Sequence, residues 1–336
     1  MGNAELNPEK LAKLTPHGVT DLIGKETSLN VVSVSGGKDS TATLLLAIER
    51  DVPNLRAVFA DTGNEHPATY EYVDYLEQAV GVPIRRVRAS FKAQIAKKRE
   101  WIVARWAKDG VPQNCIDRAL ELLVPTGNPF LDLCLWKGRF PSVKGRFCTD
   151  ELKVSPILEQ IFIPAIKDGY QVISWQGVRA DESASRSKLP ESDVGDLGEI
   201  NYRPILRWAA ENCFEMHRKH GVKWNPLYEQ GMSRVGCMPC IMARKGELAE
   251  IQRRFPEELD RVEQWEWLVS EVSKRGSPTF LDGRIPAALL DDENIHYSTH
   301  GMGYMREWAL TSRGGRQTDI FADDTPMCLS SYGLCE

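Results

Sequence analysis

Ser35-Gly36-Gly37-Lys38-Asp39-Ser40 puts two glycines, two hydroxyls, an ammonium and a carboxylate into six consecutive residues. Glycines let a backbone approach an anion closely. The N–H groups of the turn and of a following helix point at that anion, and Lys38 with the Ser35 and Ser40 hydroxyls adds charge and donors. The hexapeptide therefore predicts a pyrophosphate cradle. Its contiguous Gly-Gly-Lys differs from the G-x-x-x-x-G-K-[ST] spacing, which disfavours an ordinary P-loop ATPase or GTPase. Cys237-Met238-Pro239-Cys240 is the second constellation, a spacing that lets two thiolates grip one metal or cluster. An iron–sulfur cluster, a structural zinc and a redox-active or merely buried thiol pair all remain open for it. Cys115, Cys134 and Cys213 sit in apolar or helical settings and are expected in the core. Six histidines show no metal-ligand spacing, and His217 and His220, three apart on an expected helix, are expected to face solvent.

These residues need a scaffold, and the pattern around them supplies one. Leu29, Val31, Val32 and Val34 form a β-branched run that ends in the hexapeptide, and residues 41–50 read as a buried helix. A strand over 55–60 stops at Asp61-Thr62-Gly63-Asn64, Pro67 opens a helix to about Val80, and a third strand covers 83–87. This β-α-β-α-β order implies an α/β fold, a parallel sheet with helices on both faces. Residues 89–146 read as a helical insertion. A strand returns at 171–175, directly before Gly177-Val178-Arg179, and helices are expected over 211–219, 243–254 and 256–274. The last 60 residues are expected as loops. The expected divisions are an N-terminal extension (1–28), a nucleotide-binding α/β domain (29–235) and a helical and loop C-terminal region (236–336).

Composition narrows the partners. The 336 residues carry 42 Lys and Arg against 47 Asp and Glu, a net charge of −5, which argues against a nonspecific nucleic-acid coat. No stretch of 18 apolar residues and no signal-like core is present, so a cytoplasmic protein without a membrane partner is expected. Eight cysteines without a secretory signal point to buried thiols, metal ligands or redox chemistry rather than a disulfide framework. Within 85–108, nine Lys and Arg face only Glu100, with Phe91, Trp101 and Trp106 interleaved. Such a stretch either contacts a phosphate backbone and stacks on bases, or is an amphipathic helix with its aromatics in the core.

The hexapeptide resembles the motif of the PP-loop ATP pyrophosphatases, and Phe59-Ala60-Asp61-Thr62-Gly63-Asn64-Glu65 is similar to their second-strand end. Leu152-Lys153-Val154-Ser155-Pro156, Gly177 to Ser183 with Arg186, Arg203 to Trp208, and Asn225-Pro226-Leu227-Tyr228 with Gly236-Cys237 resemble the phosphoadenosine phosphosulfate (PAPS) reductase branch. The resemblance covers roughly residues 28–255. It implies an adenine-nucleotide α-hydrolase-like sheet with ATP across the carboxyl ends of the strands. Asp39 and Asp61 would then lie near the phosphates through Mg2+, with Thr62, Gly63 and Gly177 in the nucleotide site. Arg179 and Arg186 would act as anion clamps, and Lys153 as a further positive charge. Cys148 would join Cys237 and Cys240 as a ligand of a 4Fe–4S cluster, or of zinc. Where relatives often have a Cys-Cys pair this chain has Cys148-Thr149, so the fourth place falls to Cys328, Cys335 or an exogenous sulfide. Cys335 also resembles the tail nucleophile of PAPS reductases, without their Glu-Cys-Gly pattern.

APS and PAPS reductases carry an altered first loop, whereas the ATP-type loop is intact here. The resemblance therefore implies an enzyme that adenylates an acceptor, releases pyrophosphate and, with a sulfur donor, supports sulfur transfer, as in the DNA phosphorothioation branch. DNA or tRNA is the implied acceptor, through the basic 85–108 stretch, and a homo-oligomer is compatible. The alternatives are an APS or PAPS reductase that produces sulfite, and a nucleotide- or DNA-binding module without turnover.

Overall fold

The computed structural model describes residues 16–274, 276, 278–281, 296–312 and 317–318. In β1 (Ser28–Val34), Leu29 and Val31 enter one apolar cluster while Val32 and Val34 enter another, and all four are buried. A strand buried on both faces belongs in the middle of a parallel sheet. β1 accordingly pairs in parallel with β2 (Leu55–Asp61) and β4 (Gln171–Trp175). With β3 (Ile84–Arg88), β5 (Ser192–Val194) and β6 (Ile200–Tyr202), the sheet order is β3-β2-β1-β4-β6-β5, and only β5 runs antiparallel.

The chain builds outward from β1 to β3 on one side and then returns to β4 on the other. The carboxyl ends of β1 and β4 thus form a topological switch point, where open α/β sheets bind ligands. α1 (Pro16–Ile23), α2 (Lys38–Glu49), α3 (Pro67–Val80) and α8 (Ala210–His220) cover one face. A continuous helical run over 147–167, here α7, covers the other with Ile161, Phe162 and Ala165. No helix among the described residues is long and apolar enough to cross a membrane.

Helices α4 (Lys92–Arg105), α5 (Gln113–Leu122) and α6 (Pro129–Lys137) share one apolar core with α9 (Lys245–Arg254) and α10 (Pro256–Glu271). Phe130 stacks on Trp265 at 5.5 Å between centroids, joining the central insertion to the C-terminal helices. Loops were expected over the end of the chain, yet α11 (Tyr297–His300) and α12 (Met302–Ala309) form there. The reason is a helical stripe: Met302, Met305 and Ala309 are all buried in this same core.

Glu266 is buried on α10 and accepts hydrogen bonds from the backbone N–H groups of Phe280 and Met302, both at 2.7 Å. Burial outweighs those bonds and lifts its pKa from 4.5 to about 7. Across that window the folded state holds a proton that the unfolded chain has released, so stability must fall as pH rises through it, by up to about 3 kcal/mol. Urea melts between pH 4.5 and 7.5 should show this slope, and Glu266→Gln should flatten it; an unchanged slope would assign the dependence to another group.

Candidate nucleotide and thiol site

Gly36 has a φ of +74°, and a Cβ there would lie 2.7 Å from Thr69 Cγ2, so the turn after β1 requires glycine on both counts. Ser40 closes the loop: its Oγ accepts from Ser35 N and donates to Gly37 O, both at 3.0 Å. Gly37, the residue preceding α2, offers no side-chain cap. The first N–H groups of α2 therefore face the loop with the positive end of the helix dipole behind them.

Lys38 is buried, with its Nζ 3.2 Å from Asp39 Oδ2 and 5.3 Å from the Tyr228 ring centroid. Its backbone N–H donates to the Tyr228 hydroxyl at 3.1 Å. Asp39 Oδ1 accepts from Arg179 Nε at 2.7 Å and from Cys213 Sγ at 3.2 Å. Burial, then the Asp39 charge, push the Cys213 thiol far up, so it remains a protonated donor. His217, expected at the surface, is fully buried, with Nε2 3.3 Å from Lys38 O and Nδ1 3.2 Å from Val222 O. Cys213 and His217 lie one helical turn apart on the face of α8 that packs toward α2, and burial pushes the imidazole pKa down.

Arg179 is 5% exposed and also reaches Asp181. Arg186 stands at the surface in an ion pair with Glu182, whose carboxylate accepts from Arg179 N, so only Arg179 reaches the loop. Gly177 lies against it: a Cβ would sit 2.9 Å from Ser40 Cα and N. Backbone cannot yield as a flexible side chain does, so Gly177→Ala should displace Ser40 and weaken ATP binding at least about tenfold. Calorimetric titration with ATP tests this against Gly246→Ala, where a Cβ meets open space; equal affinities would show that Gly177 does not shape the loop.

At the end of β2, Asp61 Oδ1 accepts from Gly63 N (2.9 Å) and Tyr70 OH (2.7 Å), while Oδ2 faces Arg88 Nε at 3.3 Å. Gly63 has a φ of +75°. Thr62 is tied to buried Glu65, which accepts from its N–H (3.1 Å) and hydroxyl (2.7 Å). Glu65 and Cys237 form a β-bridge, with Cys237 Sγ 3.7 Å from Glu65 Oε1 and 3.5 Å from Thr62 Oγ1. Met238 N donates to Asn64 O at 2.7 Å, and Arg261 binds both Asn64 Oδ1 and Met238 O. The Cys-x-x-Cys turn is thereby fastened to the strand end that carries Asp61.

Lys153 of α7 lies within electrostatic reach of Cys237, Glu65, Cys240 and Cys148, with Cys237 the strongest influence holding its pKa up. Burial pushes the Cys237 and Cys148 thiols up, and Lys153 pulls each back. Cys240 Sγ accepts from Arg234 Nη2 and Met242 N, both at 3.4 Å. Cys148, Cys237 and Cys240 thus share one neighbourhood. Among the described residues, however, no group of three or more His, Cys, Asp or Glu is arranged to hold a metal ion. Cys335 and Cys328 lie outside the described residues. Cys134 is buried as expected, whereas Cys115 is exposed on α5.

Sequence reasoning missed Tyr228, Cys213, His217 and Glu65 as parts of this site. Tyr228 and Glu65 carried a signal, since both stand inside segments of the family resemblance.

This loop, at the switch point of this sheet, defines a PP-loop protein. Residues 29–243 match the family model described as "Phosphoadenosine phosphosulfate reductase domain", and the chain belongs to that family. It is 49% identical over 329 residues to the "Uncharacterized 37.8 kDa protein in gpa 5'region" of Escherichia phage 186, covering 93% of this chain and 98% of that one. Phosphoadenosine 5'-phosphosulfate reductase of Citrobacter koseri is 24% identical over 225 residues, 67% of this chain and 75% of its own. Among solved structures, the phosphate complex of PAPS reductase from Candida auris matches with a TM-score of 0.42 and 16% identity, over 69% of this chain and 93% of that one.

Proposed function

We propose that this chain binds ATP on the PP-loop, transfers the adenylyl group to an acceptor oxygen with release of pyrophosphate, and supports sulfur transfer to that acceptor. The observation that carries the reading is the unaltered Ser35–Ser40 loop with the buried Lys38 ammonium at its centre. The acceptor oxygen attacks the α-phosphorus, the bond to the bridging oxygen breaks, and pyrophosphate leaves with that electron pair. Lys38 and the α2 N–H groups neutralise the departing charge, and Arg179 orients Asp39 and with it Lys38. A sulfur nucleophile then displaces AMP from the activated acceptor.

Asp39 is already matched by Arg179 and Lys38, and Asp61 by Arg88. Mg2+ fits here mainly as the partner of ATP's own phosphates, with Asp61 as the carboxylate that would support it. The thiol neighbourhood suits a soft sulfur-binding group: three sulfurs, N–H donors on Cys240 and the Lys153 ammonium beside Cys237. A cluster held by Cys148, Cys237 and Cys240, with Cys335 as the fourth ligand, is the proposed group, and it would supply a place for sulfur.

The test uses anaerobically purified protein given Mg-ATP, or PAPS with a thiol reductant, scoring pyrophosphate and AMP against sulfite in wild type and Lys38→Ala. Pyrophosphate from ATP that depends on Lys38 is the expected result. Sulfite from PAPS with ATP inert would overturn it and make the chain a reductase.

A further inference from the structure

Five of the nine positive charges that the sequence concentrates at 85–108 are taken up by carbonyl oxygens or by surface ion pairs. Phe91 and Trp106 are 3% and 2% exposed, leaving only Trp101 to stack on a ligand. Lys98 donates to Leu135 O and Val272 O, and Arg99 to Leu120 O and Leu123 O. Arg86 pairs with Asp74 and Glu77, Arg88 with Asp61, and Arg105 with Asp109. Arg85, Lys92, Lys97 and Lys108 remain exposed with no ion pair among the described residues, Arg85 on β3 and the three lysines spread along about 24 Å of helix and its end.

A different segment concentrates its charge. From Leu133 to Thr149 the chain has no acidic residue, while Lys137, Arg139, Lys144 and Arg146 lie within ten positions. Arg139, Lys144 and Arg146 are exposed and enter no ion pair among the described residues. A turn closed by Ser142 N to Gly145 O (3.1 Å) and Gly145 N to Ser142 Oγ (3.1 Å) projects Lys144 with the exposed Val143. The half-buried Phe147 ring carries Arg139 at 5.6 Å and Lys137 at 5.8 Å. Cys148 follows immediately.

We propose that the 137–147 segment is the docking surface for a single-stranded nucleic acid, which it leads to the thiol neighbourhood of Cys148, Cys237 and Cys240. Three exposed cations with no ion pair among the described residues, within eight positions and with no acidic neighbour, are the charge pattern a phosphate backbone takes, and the Phe147 ring holds Arg139 beside Lys137 at the approach to Cys148. The assignment rests on the proposed reading of those thiols as the place where the acceptor is modified.

Fluorescence anisotropy with a labelled oligothymidylate of about 20 nucleotides, without ATP, at about 50–200 mM salt, tests this. The variant Arg139→Ser/Lys144→Ser/Arg146→Ser is expected to weaken binding at least tenfold and to lower the salt slope by about 2, at about 0.7 per phosphate contact. Lys97→Ser/Lys108→Ser is expected to bind within about twofold of wild type. Unchanged affinity in the triple variant, or an equal loss in the Lys97/Lys108 pair, would overturn the proposal. So would an equal loss of affinity for adenosine 3',5'-bisphosphate, which would assign the loop to a small nucleotide. Because ATP is absent, failure of pyrophosphate release and failure of strand binding are read separately.

Discussion

Replacing Lys38 with alanine is expected to slow pyrophosphate release from ATP by about 10²–10³-fold, the usual loss when one preorganised donor to a developing charge is removed. Lys38 is only 4% exposed, so its ammonium acts where water screens little. The fold should survive, because Asp39 keeps its 2.7 Å bond from Arg179 and the Tyr228 hydroxyl still receives the backbone N–H of residue 38. Single-turnover release of pyrophosphate, with a urea melt of the same variant, separates the two effects. A fall of less than about tenfold with the fold intact would remove Lys38 from the leaving-group side of the reaction.

The second large effect falls on Arg179. Its guanidinium and the Asp39 carboxylate have side-chain exposures of 5% and 15%. Deleting the guanidinium removes the shorter of the two ion pairs of Asp39 and leaves it with Lys38 and Cys213, at a cost of about 2 kcal/mol. Arg179→Ala should therefore lower the urea midpoint at constant slope and abolish detectable turnover, since Asp39 also holds Lys38 at 3.2 Å. Asp39→Asn combined with Arg179→Ala should be destabilised by less than the sum of the single changes, because the loss of Arg179 then no longer deprives a buried carboxylate of its guanidinium. Strict additivity in that cycle would mean that Arg179 serves a bound anion alone and does not organise the loop.

The chain's own order reveals its central architecture. The β-branched run before Ser35, the two glycines and the apolar helix after them are local signals, and they place β1, the loop and α2 within a few residues of where they form. Gln171–Trp175 forms as β4 with the expected bounds, and the parallel sheet follows from short connections that only right-handed crossovers satisfy. Which side chains complete the site is decided by packing. Arg179 meets Asp39 across 140 residues, Tyr228 meets Lys38 across 190, and Cys237 meets Glu65 across 172. Periodicity carries no information about such partners. His217 reads as one polar residue of a charged helix until α8 packs on α2 and turns it inward. The basic stretch shows the same division. Sequence counts its charges, but only the packed core of α4, α5, α6 and α10 shows that Lys98 and Arg99 are spent on carbonyl oxygens, while Arg139, Lys144 and Arg146 of the acid-free loop before Cys148 stay exposed with no ion pair among the described residues.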